Sequence, residues 1–109
     1  DPKLPLERIL ATAEMASSLK ADALPALKEA LSDGDAAVRY WAAMGFLMRG
    51  KAPDELRKLL ADESPSVRIA AAQALGQFGG EDGLNAVLPV LVAVGMVMLW
   101  AHFFMGLWR

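Results

Sequence analysis

Few residues of this chain have a type and spacing that could support chemistry. His102 is the only histidine, and no Cys, Asp or Glu lies within ten residues on either side of it. General-base catalysis and metal binding both need neighbouring groups that orient and tune the imidazole ring. The sequence therefore predicts a partly buried or interfacial histidine at this position, with no catalytic residue and no metal ligand.

Other catalytic patterns are also missing from the sequence. The chain has no cysteine, which excludes disulfides, thiolate metal sites and cysteine nucleophiles. It contains neither a glycine-rich phosphate-binding motif nor an H-E-x-x-H zinc motif. We expect a non-enzymatic protein that uses no cofactor.

Composition and charge limit the choice of partner. The chain has 109 residues, is 55% apolar and carries a net charge of -2, which predicts one folded domain without a basic field. Its basic residues between positions 49 and 58 are interrupted by Asp54 and Glu55, so they form no continuous patch for a phosphate backbone. We expect a protein partner and no nucleic acid. The start at Asp1, without a signal peptide, predicts a segment of a longer protein.

A repeat of 29 residues decides the predicted architecture. DGDAAVRYWAAMGFL (33–47) recurs as DESPSVRIAAAQALG (62–76), so that Val38 matches Val67 and Arg39 matches Arg68. Each copy of such a repeat buries its apolar face by stacking on a neighbour. The sequence predicts an all-α domain over 1–109, divided into 1–21, 22–50, 51–79 and an incomplete last unit, 80–109.

Local signals place the helices of this domain. Leucines at helical spacing precede each copy, and the residues at the N-cap position are Asp35 and Ser64, the latter followed by Pro65. Gly50 and the glycine pair 79–80 are expected to end the preceding helices. A further helix is predicted over 5–18, and a first-helix pattern restarts over 81–94. The residues expected to face inward from the 5–18 helix are Leu6, Ile9, Leu10, Ala13 and Ala16.

The pattern D-x-x-x-x-V-R-x-x-A-A after a leucine-rich helix resembles a HEAT repeat. More narrowly, residues 36–47 and 62–75 are similar to the HEAT-like C-terminal region of bacterial arylsulfatase-type sulfatases. The resemblance spans about residues 5–92. It implies a right-handed α-α superhelix of about three helical hairpins, a scaffold or protein-binding role, and a sulfatase's own catalytic domain as one partner. It also implies an extracytoplasmic location if the sulfatase context holds.

Sulfatase chemistry does not follow from this resemblance. Those enzymes form their catalytic formylglycine within a C/S-x-P-x-R motif, whereas the segment from Ser64 to Arg68 has its proline one position too early. Ser64 and Pro65 instead fit an N-cap and a first helical position. We therefore interpret this segment as a helix start.

The recurring acidic and basic residues are candidates for structural contacts between repeats. In HEAT-like proteins such side chains connect the inter-helix turn of one repeat to its neighbour, and the planar guanidinium suits a bidentate contact to a carboxylate. The resemblance assigns this role to Asp33, Arg39, Asp62 and Arg68.

Tyr40 and Trp41 are the partner-binding candidates, because Ile69 and Ala70 take their places in the other copy. Two interpretations remain open for these aromatics. They fill a wider gap between repeats, or they present a stacking surface to a partner.

The C-terminal end is uncharged and apolar. No Asp, Glu, Lys or Arg occurs from Gly83 to Trp108, and the D-x-x-x-x-V-R signature is missing. One interpretation is that this end packs against the stack or against another copy, which predicts a homo-oligomer associating through 93–108. The other is a membrane anchor over 90–108, which is near the lower limit for crossing a bilayer. The self-association candidates are Met98, Trp100, Phe103, Phe104 and Trp108.

Overall fold

The computed structural model describes residues 5–107, apart from the side chains at positions 94, 97 and 107. Within residues 5–107 the chain is helical and contains no strand, which confirms the predicted all-α helical repeat fold. Two short 3₁₀ helices cover Ala21–Ala23 and Asp54–Ala61. The five α-helices are α1 (Leu6–Ser18), α2 (Leu24–Ala30), α3 (Ala36–Met48), α4 (Pro65–Phe78) and α5 (Gly80–Leu107).

Three of the helices form a row. α3 packs against α1 on one side and against α4 on the other, so it lies in the centre. α2 packs on α3, the Asp54–Ala61 helix packs on α4, and α5 packs on both the Asp54–Ala61 helix and α4. Val38 of α3 and Val67 of α4 are both buried, as equivalent positions of stacked units should be. The helices therefore stack as successive layers.

Small residues allow the close approach of these layers. Ala42 and Ala43 of α3 and Ala71 and Ala74 of α4 are buried in one continuous core. At Gly45 an added Cβ would lie 3.2 Å from Cα of Ala16 and 3.0 Å from a Leu27 methyl carbon. A larger side chain at position 45 would therefore push α1 and α2 away from α3.

The helix ends follow the predicted signals in most places. The Asp35 carboxylate accepts hydrogen bonds from the N–H groups of Ala37 and Val38, so Asp35 caps α3 as expected. Gly50 and Gly80 adopt φ values of 68° and 67°, which favour glycine. Ser64 is at the N-cap position of α4, but its side chain makes no capping hydrogen bond. The expectation that the Ser64 side chain caps α4 is therefore wrong. Pro65, at the first helical position, has no backbone N–H to donate. The N–H of Ser64 donates to the Asp62 carboxylate.

The inward face of α1 matches the prediction at Ala16 and differs from it at Leu6 and Leu10. Leu6 and Leu10 are 57% and 58% exposed, whereas Thr12 and Ala16 are buried. Thr12 is accommodated because its hydroxyl donates to the carbonyl of Arg8 at 2.7 Å. The helix therefore contacts α3 through short side chains, and its two larger leucines lie on another side.

α5 is the other departure from the prediction. Its first part packs on α4, where Gly83 and Val87 are buried, but Leu84 and Leu88 of the predicted first-helix pattern are 46% and 44% exposed. The helix then continues through Pro89 to Leu107 without a turn. The expectation that its apolar end packs back on the stack is wrong, because Leu91, Met96 and Trp100 are more than half exposed. The 90–107 segment has no charged residue and no proline to start a new helix, so nothing local ends α5.

Candidate functional site

The described residues hold no cluster suited to metal binding or catalysis. No group of three or more His, Cys, Asp or Glu side chains within residues 5–107 could hold a metal ion. His102 lies on the exposed part of α5, where its Nδ1 is 3.2 Å from the carbonyl oxygen of Met98. The functional candidates are therefore contacts between repeats and exposed surfaces.

The junction between α3 and α4 contains a buried ion pair. Arg39 donates from Nε to Oδ2 of Asp62 at 2.8 Å and from Nη2 to Oδ1 at 3.0 Å. The two side chains are only 10% and 8% exposed. The hydrogen bond from Arg39 lowers the pKa of Asp62 and raises the pKa of Arg39 in return, although burial opposes both shifts. This contact joins the second helix of one repeat to the turn of the next.

Arg39 also binds its own repeat. Its Nη1 donates to the backbone carbonyl of Asp33 at 2.8 Å. Arg68 makes the equivalent contact, from Nη1 to the carbonyl of Asp62 at 2.6 Å. Arg39 is one of the four residues predicted to act between repeats. It contacts both Asp33 of its own repeat and Asp62 of the next repeat. Among residues 5–107, the hydrogen bond of the Arg68 side chain goes to the backbone of its own turn.

A second ion pair, which the sequence did not predict, lies between α1 and the turn before α3. Arg8 donates to the two carboxylate oxygens of Asp33 at 3.3 and 3.2 Å, and its side chain is 59% exposed. The pKa of Asp33 is lowered mainly by a hydrogen bond from the N–H of Asp35. The sequence gave only a weak signal for this ion pair, because Arg8 precedes Arg39 by 31 residues and the repeat period is 29.

Acid should weaken the fold through these carboxylates. The folded pKa of Asp62 is below its ordinary value of 3.8, so Asp62 contributes its full stabilisation above that pH. As the pH falls below 3.8, the unfolded chain takes up a proton before the folded chain does, and the stabilisation is lost through the folded pKa. We expect melting temperatures measured from pH 6 to pH 2 to fall more steeply in the wild type than in Asp62→Asn. Parallel curves would contradict this assignment.

Arg49 is the second basic residue, after Arg8, that sequence reasoning missed. Its guanidinium donates to four backbone carbonyls, of which two are in the last turn of α1, one is in the turn that follows and one is in α3. The distances are 2.8 to 3.1 Å, to the oxygens of Met15, Ala16, Lys20 and Gly45. Leu19, in the same turn, has a left-handed φ of 59°, which is unfavourable for leucine. Arg49 therefore fixes a strained helix end against the next repeat.

Tyr40 and Trp41 lie at the junction of the repeats and are half-buried. Both pack against the core, and their rings meet edge to face with centroids 5.6 Å apart. Tyr40 also lines a shallow depression between the N-terminal ends of α3 and α4, together with Ala36, Ala37, Ser64 and Ser66. Tyr40 thus lies beside the start of the next layer, while a partner-binding role for Tyr40 and Trp41 stays a prediction.

A run of exposed apolar side chains covers the C-terminal half of α5. Met98, Trp100 and Phe103 are 64%, 66% and 69% exposed. Trp100 and Phe104 stack with centroids 5.3 Å apart. Trp108, the remaining self-association candidate, lies outside the described residues. By length and composition alone, the Gly80–Gly106 part of this helix is sufficient to cross a membrane.

Comparison with known proteins agrees with the helical layers. Residues 43–94 match the family of HEAT repeats. The matched segment runs from the middle of α3, through α4, into α5. Searches of curated proteins and of solved structures gave no match. Residues 43–94 are thus similar to HEAT repeats, and repeats of this type generally mediate protein interaction or scaffolding.

Proposed function

We propose that the chain is a non-enzymatic HEAT-like scaffold that binds protein and associates with copies of itself through residues 93–108. The observation that carries the proposal is the exposed apolar surface of α5. Soluble proteins rarely leave a contiguous apolar patch of this kind in water, and such patches mark interaction sites. Burying each large apolar side chain contributes about 1.5 to 3 kcal/mol.

The distribution of the apolar side chains indicates how many helices associate. Exposed apolar residues lie on every side of α5. Met98, Leu99 and Trp100 are consecutive, and each residue of an α-helix is rotated by about 100° about the helix axis from the residue before it. A pair of helices would cover only one side of each. A helix that is apolar all round is normally buried on all sides. We therefore expect a bundle of more than two copies.

Sedimentation of the full chain in detergent-free buffer tests this proposal. We expect an oligomer for the wild type and a monomer when Trp100→Glu and Phe103→Glu are combined. Leu6→Glu is the matched control, because Leu6 is an exposed apolar residue on α1, and this variant should remain oligomeric. A monomeric wild type would refute self-association.

A membrane-tethered module is the second candidate function. The same all-round apolar surface favours it, together with the absence of Asp, Glu, Lys and Arg from Gly83 to Trp108. The 28 residues of α5 rise about 42 Å, and a membrane span needs about 20 apolar residues. Carbonate extraction of membranes from expressing cells separates the two candidates. Recovery in the soluble fraction would eliminate the anchor.

A sulfatase context is a narrower proposal, and it rests on residues 36–47 and 62–75 alone. Under it, the partner is the catalytic domain of the same protein, outside the cytoplasm. A C/S-x-P-x-R motif in the reading frame before Asp1 would support it. The isolated chain should not hydrolyse sulfate esters under either version, and measurable turnover would refute the non-enzymatic role.

A further inference from the structure

One side of α4 is open where the corresponding side of α3 is covered. α4 buries Val67, Ala71 and Ala74 in the core, but Ile69 is 67% exposed. Tyr40, which holds the equivalent position 29 residues earlier, is half-buried and faces the start of α4. Ile69 therefore occupies a position that, one repeat earlier, contacts the next layer.

The charge pattern on this open side is also incomplete. In each earlier junction an arginine binds the turn aspartate of the following layer, as Arg8 binds Asp33 and Arg39 binds Asp62. Arg68 makes only the contact to its own turn, through Nη1. Its Nε and Nη2, the atoms that Arg39 directs at Asp62, contact no carboxylate among residues 5–107. After Asp82 the sequence contains no Asp or Glu to supply one.

We propose that the open side of α4 binds a helical hairpin of another protein whose inter-helix turn carries an aspartate. The aspartate would accept two hydrogen bonds from Nε and Nη2 of Arg68, and the helix after it would cover Ile69. Both features continue the α3–α4 junction by one layer. A bidentate contact of this kind is directional, so it selects the register of the partner as well as its charge.

A second copy of this chain fits the open side less well. Its turn aspartates are Asp33 and Asp62, and both are already paired within each molecule. Opening the buried Asp62 pair to use it elsewhere would leave Arg39 without its buried carboxylate partner. The chemistry therefore indicates a different protein that has a free turn aspartate.

The test uses a peptide that imitates the next layer. It has the sequence of residues 62–78, with a hydrocarbon staple joining positions 73 and 77, whose glutamines are exposed in α4. The full chain, isotope-labelled in a mild non-ionic detergent that covers α5, is titrated with this peptide and with the same peptide carrying Asp62→Asn. NMR shifts report the site and the affinity.

We expect saturable shifts at Arg68 and Ile69, and about tenfold weaker binding of the Asp62→Asn peptide. Arg68→Gln in the chain should remove the difference between the two peptides. Arg57→Gln is the matched control, because Arg57 is a partly exposed arginine of another helix, and it should preserve the difference. Equal binding of both peptides to the wild type, shifts elsewhere, or no saturation at millimolar peptide would overturn the proposal.

This inference rests on the proposed interaction role, but separate experiments test the inference and the proposed role, so either can fail without the other. Sedimentation tests the surface of α5, and the peptide titration in detergent tests only the open side of α4. If the chain without peptide forms an oligomer that buries Arg68, and Arg68→Gln dissociates this oligomer, the open side of α4 is a self-interface. That result would also overturn the proposal.

Discussion

Asp62→Ala is expected to destabilise the protein by about 3 kcal/mol, because it breaks a buried ion pair from one side. The substitution leaves Nε of Arg39 buried without an acceptor, and leaves Nη2 only the exposed carboxylate of Glu63 at 3.8 Å. It also removes the acceptor for the N–H of Ser64 at the start of α4. Urea unfolding followed by circular dichroism, in the same detergent for all variants, measures the loss.

Asp33→Ala is the matched control for this prediction. It removes the equivalent turn aspartate, but its partner Arg8 is exposed and water replaces the lost contact. We expect a loss of about 1 kcal/mol, which includes the hydrogen bond to the N–H of Asp35. Equal losses for the two variants would show that burial does not govern these pairs.

The repeat was predictable because the same residues recur at a fixed interval and cap similar helices. The 29-residue period identifies Arg39 and Asp62 as members of recurring pairs, Arg39 with Arg68 and Asp62 with Asp33. The period could not show whether the carboxylate partner of Arg39 is Asp33 or Asp62. Arg39 lies six residues after Asp33 and 23 before Asp62, and only the stacking of the layers shows that its carboxylate partner belongs to the next repeat.

Arg8 and Arg49 escaped prediction for physical reasons. Arg8 falls outside the 29-residue alignment, because α1 is two residues out of phase with the later helices. Arg49 binds backbone carbonyls, and every residue has a carbonyl, so its partners leave no trace in the sequence. The inward side of α1 was predicted correctly at Ala16 and wrongly at Leu6 and Leu10, since leucines were preferred over the shorter Thr12 that permits close packing.

α5 illustrates a different limit of sequence reasoning. The apolar pattern identified its helical character and its uncharged end, but the length of the helix depends on whether a turn forms. Pro89 lies within α5 without ending it, and no stronger turn signal follows in the described part. Local sequence therefore predicted a helix and gave no information about what covers it.

Arg49→Ala is the second large effect that we expect, again about 3 kcal/mol. Four carbonyl oxygens lose the guanidinium as a donor, although Met15 keeps the Ser18 hydroxyl and Lys20 keeps the N–H of Ala23. Three of the four lie in the last turn of α1 or just after it, where a positive charge is favourable. Hydrogen bonds to charged groups contribute about 1.5 to 3 kcal/mol each, and water can reach some of these carbonyls after the substitution. The strained turn at Leu19 would also lose its fixed position.

Arg49→Lys and Arg57→Ala separate the causes of this loss. Lysine keeps the charge but cannot direct a planar fork at two helices, so we expect it to recover less than half of the stability. Arg57→Ala removes a partly exposed arginine and should cost less than about 0.5 kcal/mol. Hydrogen exchange locates the effect, since α1 should lose protection in Arg49→Ala before α4 does. Full recovery by lysine would mean that charge alone, rather than the four directed hydrogen bonds, holds α1 against α3.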